Sequence, residues 1–211
     1  TILYRKERRL CINVLMRPTE APETSTPSMV IVSKYELIEN PSKGFSVRSL
    51  EQIPCPCCSG GLKVIGSRKR SCINTHGNKI VLSIRRLRCA DCKRIHHELP
   101  DILVPYKHHV RESIETTITE EKQMSVIADE STLKRWQNWF FERADYFQGC
   151  LTSIILRYHL KESVGGSSSL SPSKLHRIWQ HVGDAPGWLA RVVKPIANLN
   201  LWPHTRSAFC P

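Results

Sequence analysis

Four cysteines in two C-x₂-C pairs are the residues of this sequence best suited to chemistry. Cys55 and Cys58 form the first pair and Cys89 and Cys92 the second, with 30 residues between the pairs. A C-x₂-C turn presents two thiolates at the separation that a tetrahedral Zn²⁺ requires, and two such turns complete a shell of four ligands. The spacing therefore predicts a structural Cys₄ zinc site.

Neighbouring cysteines and histidines suggest other uses of the same stretch. Cys57 adds a surplus thiol to the run "CPCC", and we expect it to point away from the metal. A C-x-x-C redox motif is one alternative, although no βαβ pattern surrounds it, and reduced cysteines packed in a small β core are another. Four histidines can replace a cysteine as ligand, but we expect them at the surface or on phosphate: His96, His97, His108 and His109.

The segment between the cysteine pairs has the pattern of a β-hairpin. Residues 62–73 and 79–89 are rich in β-branched and alternating apolar residues, and "NTHGN" separates them. Gly77 tolerates the positive φ that a tight hairpin turn requires. Closing this hairpin brings both cysteine pairs to its open end, so the sequence predicts a zinc ribbon.

Basic residues are concentrated around the same hairpin. The chain has a formal net charge of +12, and residues 51–109 carry 11 basic against 4 acidic residues. Such an excess favours a polyanion, DNA or RNA, although a solvated surface without a partner is the alternative. The predicted phosphate contacts of the ribbon are Arg68, Lys69, Arg70, Arg85, Arg86, Arg88, Lys93 and Arg94.

Helical patterns replace the β patterns after residue 110. In "MSVIADESTLKRWQNWF" a capping residue, Asp129 or Ser131, precedes an apolar stripe, as in the second and third helices of a helix-turn-helix. Packing within a plain helical bundle is the alternative explanation of the stripe. The predicted outward face consists of Thr132, Lys134, Arg135 and Asn138, with Lys134 and Arg135 on phosphate or guanine and Asn138 or Gln137 on adenine.

These patterns predict an α+β chain: an N-terminal Cys₄ zinc-ribbon β-hairpin, an all-α helix-turn-helix-like domain and a short C-terminal helical segment. The chain begins with Thr, and Met16 and Met29 are alternative translation starts. The expected divisions are a disordered or non-native leader (1–28), a lead-in segment (29–52), the zinc ribbon (53–109), the helix-turn-helix-like domain (110–162), a linker (163–173) and the C-terminal helical segment (174–211).

Four stretches resemble a domain family of unassigned function from Gram-positive bacteria, whose members are described as hypothetical or transposase-like. They are "IPCPCCSGGLKVIGSRKRSCI", "IRRLRCADCKRIHHELPDILVPYKHH", "ADESTLKRWQNWF" and "DAPGWLARVVKPIANLNLWPHTRSAF". The resemblance covers roughly residues 50–211. It implies a zinc ribbon joined to a helix-turn-helix, similar to the N-terminal DNA-binding parts of insertion-sequence transposases.

Catalytic patterns are weak by comparison. A three-carboxylate transposase needs acidic residues gathered on a five-stranded sheet, whereas each aspartate here suits a turn or a helix start: Asp91, Asp101, Asp129, Asp145 and Asp184. We therefore predict a cytoplasmic, zinc-dependent DNA-binding protein, without a catalytic core and associated with a mobile element. An RNA-binding zinc ribbon, and a scaffold whose helices and Trp-rich tail bind a transposase, are the alternatives.

Overall fold

Strands occupy the first half of the described chain and helices the second. The structure is a computed structural model that describes residues 28–40, 44–119, 126–158, 160 and 173–202. The strands are β1 (Ser28–Val32), β2 (Tyr35–Asn40), β3 (Gly44–Ser49), β4 (Leu62–Ile73), β5 (Lys79–Cys89) and β6 (Ile95–Pro100). The helices are α1 (Arg111–Thr119), α2 (Glu130–Tyr158), α3 (Lys174–Val182) and α4 (Trp188–Asn198).

The predicted hairpin is confirmed. β4 and β5 pair antiparallel from Leu62 opposite Cys89 to Ile73 opposite Lys79, with one irregularity between Val64 and Gly66. Gly77 has φ 77° in the connecting turn, a conformation that glycine adopts without steric cost. This pairing brings the first cysteine pair, which precedes β4, beside the second, which follows β5.

The hairpin is part of a larger, curled sheet because β5 also forms hydrogen bonds along its other edge. There it pairs antiparallel with β6 at Arg86–Arg88 and parallel with β3 at Leu82 and Ser83. β1 joins β6 in parallel and β2 joins β3 antiparallel, which gives the order β1-β6-β5-β3-β2 with β4 on β5. The described sheet therefore has six strands.

Sheet and helices share a single hydrophobic core. Its sheet side includes Ile31, Leu82, Ile84 and Leu99, and its helical side includes Ile114, Phe140, Phe147, Trp188 and Ile196. Each of these side chains is less than 2 % exposed. Burial of this apolar surface stabilises the described sheet and helices together.

The predicted fold class, an N-terminal zinc-ribbon hairpin followed by an all-α helix-turn-helix-like domain, is therefore wrong. A free ribbon would leave one edge of β5 unpaired, whereas here β3 and β6 occupy it. The alternating residues Leu82 and Ile84 are buried against helices rather than within a small ribbon core. The predicted lead-in segment contributes β1 to β3, of which only one short strand was expected.

Helix α2 is a single helix of 29 residues. Asp129 caps its start, since Oδ1 accepts a hydrogen bond of 2.7 Å from the backbone N–H of Thr132. The predicted stripe of Leu133, Trp136 and Phe140 is confirmed as buried. The helix predicted around residues 121–128, as the second of the helix-turn-helix, lies mostly outside the described residues, as do nearly all of the predicted leader and linker.

The two C-terminal helices form where the sequence predicted them and pack into the same core. Ser173 caps α3 through its side chain, and α3 ends at Gly183. The buried carboxylate of Glu115 in α1 accepts hydrogen bonds from the backbone N–H groups of Gly187 and Leu189, at 3.1 and 2.7 Å. Negative charge at this helix start complements the N–H groups left unpaired there.

Asn198 connects the last described helix to the first strand. Its Oδ1 accepts from the backbone N–H of Ile31 at 2.7 Å, and its Nδ2 donates to the carbonyl of the same residue at 3.0 Å. The amide thus satisfies one residue of the outer edge of β1 as a neighbouring strand would.

Among the described helices, none is both long and apolar enough to cross a bilayer.

We expect Asn198→Ala to reduce the free energy of unfolding by about 1–3 kcal/mol, because Ile31 would keep a buried N–H and carbonyl without partners. Urea denaturation followed by circular dichroism measures this. Asn138→Ala, on the exposed face of α2, is the matched control and should change stability by only about 0.5 kcal/mol. Equal stabilities for both variants would contradict the joint core of helices and sheet.

Candidate metal centre

The four predicted cysteine ligands meet at the base of the hairpin. Their sulfur atoms all lie within 4.8 Å of one another. The Sγ atoms of Cys55 and Cys92 are 3.6 Å apart, and those of Cys58 and Cys89 are 3.4 Å apart. The cluster can therefore hold a metal ion with four thiolate ligands.

Two turns and one strand pairing position these thiols. Cys55 N–H donates to the carbonyl of Gly60 and Ser59 N–H donates to the carbonyl of Cys55, which closes the first turn. A Cβ on Gly60 would lie 1.9 Å from a carboxylate oxygen of Asp91 and 3.2 Å from Sγ of Cys89, so a larger residue there would require the Asp91 side chain to move. The Leu62–Cys89 pairing then fixes the second turn relative to the first.

Opposing effects set the pKa values of the thiols. Burial raises the pKa of Cys55 far above that of a free thiol, despite the backbone N–H groups of Cys57 and Cys58 that point to its sulfur. Burial also raises the pKa of Cys89, but the N–H groups of Cys92 and Asp91 outweigh it and leave a pKa of about 7. Because thiolates are the metal-binding form, metal binding must release the proton of Cys55.

A buried histidine lies against the cluster. The His96 side chain is fully buried, its Nε2 is 3.3 Å from Sγ of Cys55, and its Nδ1 is 2.5 Å from Oγ of Ser28. His97 is also buried, at 8 % exposure. The expectation that both would be surface residues is wrong, since β6 runs between β1 and β5. Because two histidines are adjacent, the sequence of β6 shows no alternation of apolar and polar residues from which this burial could have been predicted.

Register divides the predicted phosphate contacts between two faces of the hairpin. Residues paired across antiparallel strands point to the same face, and residues two apart along a strand share a face. Arg68 is opposite Ile84 and Arg70 is opposite Leu82. One face therefore carries Leu82 and Ile84 on β5 beside Arg68 and Arg70 on β4, and continues towards the cysteines with Arg86, Arg88 and Lys63. Its row of basic residues is Lys63, Arg68, Arg70, Arg86 and Arg88. We call this row the basic face; the sequence reading missed Lys63.

The remaining predicted ribbon contacts have other surroundings. Arg85 lies on the opposite face, where its Nε and Nη2 donate to the buried carboxylate of Glu98 at 2.5 and 2.7 Å. Lys69 pairs with Ser83 and therefore lies on that face too, where it is exposed. Lys93 donates to the Ala90 carbonyl within the second turn, and Arg94 donates to Sγ of Cys57 at 3.7 Å.

Lys107, which the sequence reading did not select, continues the basic face towards the helices. The Nη2 of Arg70 donates to the Lys107 carbonyl at 2.9 Å, and the Lys107 ammonium lies 4.2 Å from the ring centroid of Trp139 in α2. Burial, with Arg143 and Arg135 nearby, lowers the pKa of Lys107 to about 8. Mutually repelling cations thus extend from the hairpin to α2.

The predicted outward face of α2 is only partly exposed. Lys134 and Asn138 are exposed, and Lys134 forms an ion pair of 2.7 Å with Glu130. Arg135 is exposed and donates to Oγ1 of Thr132 at 2.7 Å. Thr132 itself is buried, so the prediction that it lies on the outward face is wrong. Gln137, the alternative adenine contact, donates instead to the Thr117 carbonyl in α1 at 3.1 Å.

Comparison with known proteins finds a family model that matches part of the chain. Residues 55–136 match the family model described as Domain of unknown function (DUF6431). This region begins at the first cysteine ligand and continues through the hairpin, β6 and α1 into α2, so it includes parts of both the sheet and the helical layer. A search of curated proteins and a search of solved structures each found no match.

We expect Cys89→Ser to abolish the stabilisation that a bound metal provides, because it removes one of the four thiol ligands while the backbone pairing with Leu62 can remain. A ligand that binds only the folded state adds about 4 kcal/mol when its free concentration is about 1,000 times Kd. Melting temperatures with Zn²⁺ and with chelator measure the gain. Cys150→Ala, in the helical core, is the control and should retain it; a gain retained in Cys89→Ser would contradict the site.

Proposed function

We propose that the protein is a zinc-dependent nucleic-acid-binding protein whose partner is DNA. The observation that supports this proposal best is the basic face, an array of cations beside a four-cysteine centre on one hairpin. In this proposal the metal has a structural role: it holds the open end of the hairpin so that the cations keep their spacing.

The donor set favours Zn²⁺ among common metal ions. Four thiolates suit a soft or borderline cation with tetrahedral geometry. Zn–S bonds of about 2.3 Å in a tetrahedron would separate the sulfur atoms by about 3.8 Å, close to the 3.6 and 3.4 Å of the two nearest pairs. Cys55 and Cys89 are almost fully buried, as ligands of a structural ion usually are.

Charge on the basic face favours a polyanion over a protein partner. Arg85 is paired with Glu98 by two hydrogen bonds, so its charge is already offset. On the basic face, by contrast, the pKa of Arg70 is lowered, mainly by burial and also by the nearby charge of Arg68. Phosphates would relieve such repulsion and release counterions from the nucleic acid. Lys107 and Arg135 would extend the contact to α2.

In this proposal, the exposed residues of α2 contact the DNA bases and recognise their sequence. Asn138 is exposed, and an asparagine side chain can bond adenine in the major groove. Lys134 and Arg135 would add phosphate contacts. We propose Asn138 as the base contact and leave Thr132 and Gln137 out, since both are committed to contacts within the protein.

Two alternatives remain from the sequence. RNA would suit the same cations, and the comparison of duplex DNA with structured RNA below separates the two. A protein-binding scaffold has less support, because Trp188 and Trp202, the aromatic residues that suggested it, are 2 % and 7 % exposed. Trp202 instead stacks on Phe147 with ring centroids 5.5 Å apart.

The proposal includes no catalytic core and an association with a mobile element. Three aspartates have structural contacts: Asp129 caps α2, Asp145 binds Lys174 and Arg177, and Asp101 accepts from Tyr35. The mobile-element association rests on the resemblance to transposase-like proteins alone. Terminal inverted repeats or a neighbouring recombinase gene would support it.

We expect the zinc-loaded protein to bind duplex DNA more tightly than structured RNA in filter binding, with affinity that falls as salt rises. Lys63→Gln with Arg88→Gln should weaken binding and reduce the slope of log K against log salt by about 1 for each lost phosphate contact. These residues face each other across the hairpin and both are exposed.

Lys34→Gln with Arg48→Gln is the matched control, since it removes the same charge from exposed positions in the turn before β2 and in β3. Equal losses in both double variants would indicate a response to net charge alone and contradict the basic face. Tighter binding of RNA would favour the alternative partner. Cleavage of plasmid DNA incubated with the protein and Mg²⁺ or Mn²⁺ would contradict the absence of a catalytic core.

Lys107 should make the stability of the protein and its binding to DNA change in opposite directions as the pH rises. Its pKa of about 8 in the folded state lies below the 10.5 of an unperturbed lysine. Between these values the unfolded state binds more protons, so the contribution of Lys107 to stability rises with pH over this window. Binding to DNA should weaken over the same window, because the ammonium loses its charge.

The measurements are urea denaturation and filter binding at pH 7, 8 and 9, with the wild type compared with Lys107→Gln. The variant should lack the part of both trends that Lys107 causes. Parallel trends in the two proteins would show that Lys107 keeps an ordinary pKa or lies away from the DNA.

A further inference from the structure

The arrangement around Cys55 contains a second set of metal ligands. Sγ of Cys55, Sγ of Cys57 and a ring nitrogen of His96 lie within 4.8 Å of one another. Cys55 is the one residue that this set shares with the four-cysteine set. We propose that Cys55, Cys57 and His96 bind a second thiophilic divalent cation, with the thiolate of Cys55 bridging the two ions.

His96 has the surroundings of a metal ligand. Its Nε2 points at Cys55 from 3.3 Å, close to the edge of about 3.6 Å expected between N and S on one tetrahedral zinc ion. Its other nitrogen, Nδ1, meets the hydroxyl of Ser28. Ligand histidines usually engage their second nitrogen in such a bond, which fixes the tautomer and the ring orientation.

Cys57 gains a role that the four-cysteine set does not provide. It lies between the two ligands of the first turn, and its sulfur accepts a hydrogen bond from Arg94 at 3.7 Å. Two thiolates and one imidazole leave a fourth position on a tetrahedral ion, which water can fill. Because Cys57 is only partly buried, that position has access to solvent.

Charge compensation also favours a second cation. Four thiolates around one divalent ion leave a formal charge of −2, and a thiolate at Cys57 makes it −3. Cys55 is 2 % exposed, and buried negative charge is costly without compensation. A second divalent ion reduces the total to −1, and the guanidinium of Arg94 beside Cys57 offsets the remainder.

The inference requires metal at the four-cysteine centre but does not depend on nucleic-acid binding. The test is a titration of reduced, metal-free full-length protein with ¹¹³Cd²⁺ under anaerobic conditions. Thiolate-to-cadmium absorbance gives the stoichiometry, and ¹¹³Cd NMR resolves the sites. We expect two ions per chain at saturation and two resonances.

Cys57→Ser and His96→Gln should each take up one ion and lose one resonance. His97→Gln changes the neighbouring buried histidine, which belongs to neither set, and should keep two. Circular dichroism establishes folding, and Cys57→Ser decides the result if His96→Gln fails to fold, since Cys57 is partly exposed.

One ion per chain in the saturated wild type would overturn the proposal. Two ions in Cys57→Ser would overturn it as well, because the second ion would then bind elsewhere. If the wild type and His96→Gln each bind one ion, and the variant binds it more weakly, His96 is instead a hydrogen-bond donor to the Cys55 thiolate. Nucleic-acid affinity enters none of these outcomes.

Discussion

The pairing of β5 with three other strands is the constraint on which the rest of this structure depends. One edge binds β4 along its whole length, and the other is divided between β3 and β6. A strand used in this way cannot belong to a detached ribbon. Its register also fixes at once which residues enter the core, which carry charge to the surface and where Cys89 lies.

Three functions of the chain therefore coincide on one strand. Leu82 and Ile84 pack against the helices, Arg86 and Arg88 continue the same face into the open, and Cys89 ends the strand at the thiol cluster. The interior and the basic surface lie on the same side of the sheet. A change in the position of the helices would thus alter the distance between the hairpin cations and those of α2.

Local features of this fold could be predicted from the sequence, whereas pairing between distant segments could not. The hairpin was found because its turn and alternation are local, and the cysteine cluster because two C-x₂-C turns flank it. β2, β3 and β6 are six residues each and carry little periodicity. The parallel pairs β1–β6 and β3–β5 join segments far apart, so no turn residue marks them.

The candidate site shows the same division. The four-cysteine cluster could be predicted from the spacing of its residues. The surroundings of Lys107 and His96 could not, because they depend on tertiary neighbours: Trp139 for Lys107, and Cys55 and Ser28 for His96. Arg85 looked equivalent to Arg86 in the run "RRLR". Only the alternation of faces along β5 and the position of Glu98 distinguish a buried ion pair from a surface cation.

The contact between Asn198 and Ile31 has a consequence for the order of folding during synthesis. These residues are 167 positions apart, so β1 cannot receive this partner until α4 has left the ribosome. The two cysteine turns are complete once Cys92 is available and need only local chain closure, which is fast. Metal can thus bind an early hairpin, whereas the first strand gains this contact only after the last described helix has been synthesised.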